Sequence, residues 1–170
     1  MYAAEPTDRF TVQGTTLRYA SEGLGRWELI AEQILLLGEA TSEDGARDER
    51  WHLCFVTDIQ GRWVEGSLYA EGRNDALQWL SVRMGCSLEL KLAGAPAFRS
   101  RVMWPPDWRE RPLFAFQVSP LRRAFSGSLR RLGLPPLVGS VQSVDPRLLE
   151  SLWRAKRHPG GAVARFPHGV

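Results

Sequence analysis

Three histidine or cysteine side chains, the types that commonly ligate zinc or act as a nucleophile, occur between positions 52 and 86: His52, Cys54 and Cys86. The H-x-C spacing places His52 and Cys54 on one face of an extended strand. Structural zinc sites usually need four ligands, often supplied by closely spaced cysteine pairs. A catalytic Cys54 would need partial exposure and an adjacent base, yet it lies between Leu53 and Phe55. We therefore predict a core cysteine, with no metal site and no cofactor.

Glycines and carboxylates give no more specific signal. The segment Gly23-Leu24-Gly25 lacks the third glycine of a dinucleotide-binding turn, and no G-x-x-x-x-G-K-[ST] phosphate loop occurs. The acidic stretch 42–50 does not reproduce the spacing of an EF-hand loop. The sequence therefore predicts turns and a solvated loop at these positions, and no catalytic residue.

The segment Trp104-Pro105-Pro106-Asp107-Trp108 is the most unusual one in the chain. Two indole rings surround a stiff Pro-Pro unit, and four arginines flank it. Aromatic and cationic groups presented together suit a protein partner or an anionic ligand. The alternative is that one or both rings cap the sheet. The residues of this candidate binding site are Arg99, Arg101, Trp104, Trp108, Arg109 and Arg111.

Charge is distributed unevenly along the chain. Residues 1–118 contain 13 Arg or Lys and 17 Asp or Glu, a net charge of −4, whereas residues 119–170 contain 9 and 2, a net charge of +7. Such a basic segment can contact nucleic acid or an acidic membrane surface. We favour docking on the acidic body or contact with a protein, because the acidic body would repel phosphate. The candidate nucleic-acid-binding residues are Arg122, Arg123, Arg130, Arg131, Arg154 and Arg157.

The elements that position these residues follow from hydrophobic periodicity. Alternation in 51–57 predicts a central strand buried on both faces, joined by a turn over 58–61 to a second strand over 62–69. A period near 3.6 then predicts a helix with Asn74 as N-cap, ending at Gly85.

The remaining elements are assigned more simply. Two strands joined at Gly14 are expected over 10–20, and three more over 87–92, 99–104 and 113–118, the last of these closing the strand-rich body. Residues 26–41 fit either one helix or two strands joined by a turn at 31–33. Helices are predicted over 121–132 and from Pro146, with Asp145 as N-cap, to just before His158.

Together these patterns predict an α+β fold with a mainly antiparallel sheet or open β-barrel, a short packing helix and a basic helical C-terminal segment. We expect a strand-rich body over 1–118 and an extension over 119–170 packed on it. The sequence has no signal-peptide pattern and no apolar run near the ~20 residues that span a bilayer. Since its two cysteines suggest no disulfide framework, we expect a cytoplasmic protein.

No motif identifies an activity. We therefore hypothesise a non-enzymatic ligand- or protein-binding module. A nucleic-acid-binding protein and an enzyme of unrecognised type are the alternatives, and the partner and the oligomeric state are left open.

Overall fold

The computed structural model describes residues 8–41, 51–96, 98–117 and 141–157. Nine strands and two α-helices lie in this part of the chain. The strands are β1 (Arg9–Gln13), β2 (Thr16–Ser21), β3 (Gly25–Ile30), β4 (Leu36–Thr41), β5 (Trp51–Val56), β6 (Trp63–Ser67), β7 (Ser100–Trp104), β8 (Phe114–Gln117) and β9 (Val141–Val144). The helices are α1 (Arg73–Met84) and α2 (Pro146–Arg157), and single 3₁₀ turns occupy Ala31–Gln33 and Pro106–Trp108.

The strands form three sheets in which every pairing is antiparallel. Sheet A has the order β1-β2-β3, sheet B has the order β6-β5-β4-β7, and β8 pairs with β9. None of these sheets closes into a barrel. The predicted α+β class with a mainly antiparallel sheet is therefore confirmed.

Sheet B separates two apolar clusters. Along β5, Leu53 and Phe55 belong to the first cluster, whereas Cys54 and Val56 belong to the second. The prediction of a central strand buried on both faces is therefore confirmed. The buried members of the first cluster are Phe10, Leu17, Tyr19, Leu29, Ile34, Leu37, Leu53, Phe55, Leu68, Ala70, Ala76, Leu80, Met84, Met103 and Trp104. Those of the second are Leu36, Ala40, Cys54, Val56, Val102, Leu113, Phe114, Val144, Leu148 and Leu152.

Different elements cover the two faces of sheet B. Sheet A and α1 supply the first cluster, and β8, β9 and α2 supply the second. Gly66 permits the close packing of β1 on β6, because a Cβ atom at this position would lie 2.5 Å from Cζ of Phe10. A larger residue would therefore push sheet A away from sheet B.

The start of α1 differs from the prediction. Asn74 is not the N-cap: the helix begins at Arg73, and Gly72 is the capping residue, with φ +73° and no side-chain hydrogen bond. A Cβ atom at Gly72 would overlap the backbone oxygen of Phe10. The contact with β1 therefore decides where the helix starts. The predicted end is confirmed, since Gly85 adopts the left-handed conformation there.

The strand predicted over 87–92 is wrong. Residues 87–92 pair with no strand. The backbone N–H groups of Lys91 and Leu92 instead donate to the Glu39 carboxylate, at 2.7 and 3.3 Å. Leu88 and Leu90 still pack against the first cluster, which accounts for the alternating pattern.

The ambiguity over residues 26–41 is resolved as β3, the turn Ala31–Gln33 and β4. The strands predicted over 99–104 and 113–118 are confirmed as β7 and β8, but β8 is not the last strand, because β9 pairs with it. The predicted cap of α2 is also confirmed, since the N–H of Arg147 donates to Oδ1 of Asp145 at 2.8 Å.

Two predicted features, the loop over 42–50 and the helix over 121–132, lie outside the described residues. The division into 1–118 and 119–170 stays a prediction. Among the helices of the described ranges, none is both long and apolar enough to cross a membrane.

Candidate binding surface around a buried ion pair

Glu39 and Arg101 form an ion pair in the interior of sheet B. They lie directly opposite each other on the neighbouring strands β4 and β7. The Arg101 Nε donates to Oε1 of Glu39 at 2.5 Å, and the two side chains are 7% and 0% exposed. Burial of a charge is costly unless it is paired and hydrogen-bonded, so the remaining bonds of both groups decide what this pair can do.

The Glu39 carboxylate is surrounded by donors. Its Oε1 also accepts the backbone N–H of Lys91 at 2.7 Å. Its Oε2 accepts the Trp51 indole N–H at 2.8 Å and the backbone N–H of Leu92 at 3.3 Å. Four donors therefore satisfy the two oxygens, and the carboxylate ties the segment 87–92 to the sheet.

Arg101 is equally occupied. Its Nη1 donates to Oε1 of Glu110 at 3.0 Å, and its Nη2 donates to the backbone oxygen of Glu89. Lys91 Nζ also donates to the Glu110 carboxylate, at 2.8 Å. The pKa of Glu110 is lowered, and this hydrogen bond is the largest cause. The charges of Arg101, Lys91 and Arg109 lower the pKa further, whereas burial raises it by less than the hydrogen bond lowers it. Since all three guanidinium nitrogens have acceptors, Arg101 acts as a structural anchor.

A cleft beside this network is too small for an organic ligand. Its volume is about 20 Å³, which is room for one or two water molecules. Binding at this place would therefore use the surface. The residues that line the cleft are Ser87, Glu89, Lys91, Arg101, Met103, Arg109 and Glu110.

The two tryptophans predicted to lie at the binding site pack on opposite faces of sheet B. Trp104 is 4% exposed and belongs to the first cluster, whereas Trp108 is half-buried against the second. The peptide bond between Trp104 and Pro105 is cis. The rings thus cap the sheet, which was the alternative raised by the sequence.

The arginines of the predicted site divide into three kinds. Arg101 is buried in the ion pair. Arg109 is exposed, but its Nη2 donates to the backbone oxygen of Ser87 at 3.1 Å. Arg99 and Arg111 are exposed, and neither forms an ion pair with another described residue.

Two of the candidate nucleic-acid-binding arginines lie on α2. Arg154 donates to Oε1 of Glu150 at 2.5 Å, and the Arg157 guanidinium lies 3.5 Å from the centre of the Trp153 ring. Trp153 is 43% exposed. The other four residues of this set, Arg122, Arg123, Arg130 and Arg131, lie outside the described residues.

The histidine and the cysteines considered for metal binding do not converge. Cys54 belongs to the second cluster, whereas Cys86 packs against the first, on the other side of sheet B. Burial raises the pKa of both thiols, and at Cys86 the charge of Arg109 opposes this effect. Within the described ranges, no group of three or more His, Cys, Asp or Glu side chains could hold a metal ion.

A wider hollow of about 380 Å³ lies beside the first turn of α1. Its cation, Arg73, is already committed, since Nη1 donates to the backbone oxygen of Leu68 at 2.8 Å and Nε donates to Oδ1 of Asn74 at 3.2 Å. The hollow mainly presents the exposed ring of Tyr69 and the carboxylate of Asp75.

Glu39 is the residue of this region that sequence reasoning missed. The available signal was a single carboxylate within an otherwise apolar run, ILLLGEA. A charged residue in a strand buried on both faces needs a buried partner, and this requirement could have pointed to Arg101.

In comparisons with known proteins, no protein family, no curated protein and no solved structure matches the chain.

Proposed function

We propose that the protein is a non-enzymatic binding module that recognises an acidic segment of a protein partner. Arg99 and Arg111 make the principal contacts, and Arg109 precedes Arg111 by two residues. The observation that carries the proposal is the state of Arg99 and Arg111: both are exposed and unpaired among the described residues, on backbone that is fixed by hydrogen bonds. We place this interaction in the cytoplasm.

The backbone on either side of β7 is held in place. The Arg99 oxygen accepts the N–H of Thr41 at 2.8 Å, and the Arg99 N–H donates to the Thr41 hydroxyl at 3.0 Å. The Arg111 oxygen accepts the N–H of Val102, also at 2.8 Å. A surface whose backbone is already ordered loses less conformational entropy on binding.

Arginine chemistry suggests what the partner offers. A guanidinium presents a planar set of donors that matches a carboxylate in a bidentate geometry. An acidic peptide segment supplies several carboxylates in a row, so it can engage both side chains. Phosphates offer similar acceptors, which makes nucleic acid the necessary comparison.

The second candidate function is nucleic-acid binding through α2. The observation in its favour is the exposed Trp153 ring with Arg157 stacked on it, because aromatic rings and guanidinium planes both stack on bases.

The test uses a fluorescein-labelled poly-glutamate peptide and a labelled single-stranded oligonucleotide in anisotropy titrations of the full chain. We expect Arg99→Gln/Arg111→Gln to weaken peptide binding about fivefold, which corresponds to roughly 0.5 kcal/mol for each exposed contact. The control Arg62→Gln/Arg83→Gln removes the same charge from one exposed and one half-buried position elsewhere and should leave the affinity within a factor of about two.

The outcomes separate the candidates. Equal weakening by both double variants, or no binding of the peptide, refutes the proposal. Binding of the oligonucleotide that weakens with salt and is reduced by Arg157→Gln, with no effect of Arg99→Gln/Arg111→Gln, favours the nucleic-acid alternative.

A further inference from the structure

The outer edge of β3 is the feature of the fold that no contact described above accounts for. The two-residue loop at 14–15 makes Gln13 and Thr16 a hydrogen-bonded pair, and such pairs alternate along an antiparallel ladder. Residues 17, 19 and 21 of β2 therefore bond to β3, at its residues 29, 27 and 25. The backbone N–H and C=O groups of Arg26, Glu28 and Ile30 consequently point away from sheet A.

Two hydrogen bonds support this alternation. The N–H of Phe10, which the same rule directs away from β2, donates to the backbone oxygen of Glu71 at 2.8 Å. The N–H of Ile30 donates to the Gln33 side chain at 3.1 Å, outside the ladder. The N–H groups of Arg26 and Glu28 have no corresponding partner in the described part of the chain.

Each of the other edges of sheets A and B forms at least one hydrogen bond with another described part of the chain. The edge of β1 bonds to Glu71, and that of β7 bonds through Val102 to the turn that follows it. At β6, the Ser67 N–H donates to the Tyr19 hydroxyl, and the Glu65 oxygen accepts the Trp27 indole N–H. Natural edge strands are often protected by proline, a bulge or charged side chains. The strand β3 has no proline and no bulge, and its two charged residues, Arg26 and Glu28, have opposite signs.

We propose that β3 pairs with β3 of a second copy of this chain, antiparallel about a two-fold axis at Trp27. The outward groups of Arg26 would then exchange two hydrogen bonds with Glu28 of the partner subunit. The symmetry repeats this pair on the other side of the axis. The two copies of sheet A become one six-stranded sheet.

The charges of Arg26 and Glu28 favour the register in which Trp27 lies on the two-fold axis. The N–H of Ile30 already donates to the Gln33 side chain, so Arg26 and Glu28 are the outward-directed residues left for pairing. Three symmetric registers use these two residues. Two of them place identical charges opposite each other, Arg26 on Arg26 or Glu28 on Glu28, which is unfavourable across a strand pair. The third places Arg26 opposite the partner subunit's Glu28.

The side chains are free to make this contact. Arg26 and Glu28 are both exposed. Oε2 of Glu28 already accepts Nε of Arg18 at 2.7 Å within the chain, and this leaves Oε1 for the partner subunit's Arg26. A row of alternating charges, Arg18, Glu28 and the partner's Arg26, then crosses the interface.

The test is sedimentation velocity of the full chain over about a hundredfold range of concentration, since a dimer held by mass action dissociates on dilution. We expect the wild type to shift from monomer to dimer. Arg26→Glu and Glu28→Arg should each remain monomeric, because each places like charges opposite each other. An equimolar mixture of the two variants should form a dimer again, and so should the double variant Arg26→Glu/Glu28→Arg.

A wild type that is monomeric at every concentration overturns the proposal, as does a dimer that both single variants retain. Amide hydrogen exchange provides a second measurement on folded protein. The N–H groups of Arg26 and Glu28 should be protected in the wild-type dimer and exchange rapidly in either single variant. Protection in a monomer would show that another segment of the same chain covers the edge, which also overturns the proposal.

Discussion

Replacement of Arg101 by methionine isolates the contribution of the buried ion pair to stability. Methionine keeps most of the length of the arginine stem but removes its charge. The Glu39 carboxylate, 0% exposed, then lies in the interior without its cation. Removal of one partner of a buried pair typically costs about 3–5 kcal/mol. Three N–H donors remain on Glu39, so we expect about 3 kcal/mol, the lower end of this range.

Urea unfolding followed by tryptophan fluorescence measures the decrease in the free energy of unfolding. Trp51 contributes to this signal, and its indole N–H donates to Glu39. In a chain of this size, 3 kcal/mol lowers Tm by about 6–12 °C. The matched control is Arg18→Met. Its ion pair with Glu28 has side chains 48% and 55% exposed, so its removal should cost less than about 1 kcal/mol.

A comparison with a double variant distinguishes the loss of the ion pair from a loss of packing as the cause of the destabilisation. Glu39→Gln in the Arg101→Met background removes the stranded charge while it keeps an acceptor for the surrounding N–H groups. It should therefore recover part of the lost stability, whereas Glu39→Gln alone should destabilise the protein. If Arg101→Met costs no more than Arg18→Met, or if the second substitution adds a further loss, the buried pair does not have the role assigned to it.

Three further predictions concern other parts of the fold. Gly72→Ala should destabilise the protein by about 1–3 kcal/mol in urea unfolding, because φ is +73° and the new Cβ would meet β1. Burial raises the pKa of Tyr19 from 10.0 to about 12. The contribution of the neutral Tyr19 to the free energy of unfolding is therefore complete below about pH 10 and is lost as the pH rises towards 12. Tyr19→Phe should abolish this pH-dependent contribution when unfolding is measured across that range. In a thiol titration with a disulfide reagent, Cys86 should react in the folded protein and Cys54 only on unfolding, since Cys54 is fully buried.

Sequence patterns predicted burial well and hydrogen bonding poorly. The alternation in 51–57 identified both faces of β5, because side-chain direction in a strand depends only on parity. The same alternation over 87–92 predicted a strand that does not form. Leu88 and Leu90 are directed towards the core as expected, but the N–H groups of Lys91 and Leu92 bond to a side chain. Periodicity carries no information on which acceptor a backbone group uses.

Long-range contacts account for the other differences. Asn74 has the right residue type for an N-cap, yet the approach of β1 to Gly72 starts the helix earlier. The strand β9 was missed because its partner β8 lies more than twenty residues away in the sequence. At the candidate site, the pattern of two tryptophans around Pro105 was visible, but the faces on which the rings lie depend on the complete sheet.

The buried pair of Glu39 and Arg101 and the exposed arginines contribute to the proposed function in different ways. Every polar atom of the Glu39 carboxylate and the Arg101 guanidinium already has a partner, so the pair can influence binding only through the position of the backbone. It fixes β7 against β4, and Arg99 and Arg111 flank β7. Dimerisation through β3 would then place two such arginine surfaces on one particle. A partner with two acidic segments could engage both, and its second contact would form at the effective concentration set by the first. Weak individual contacts on an exposed surface would thus be sufficient for stable binding.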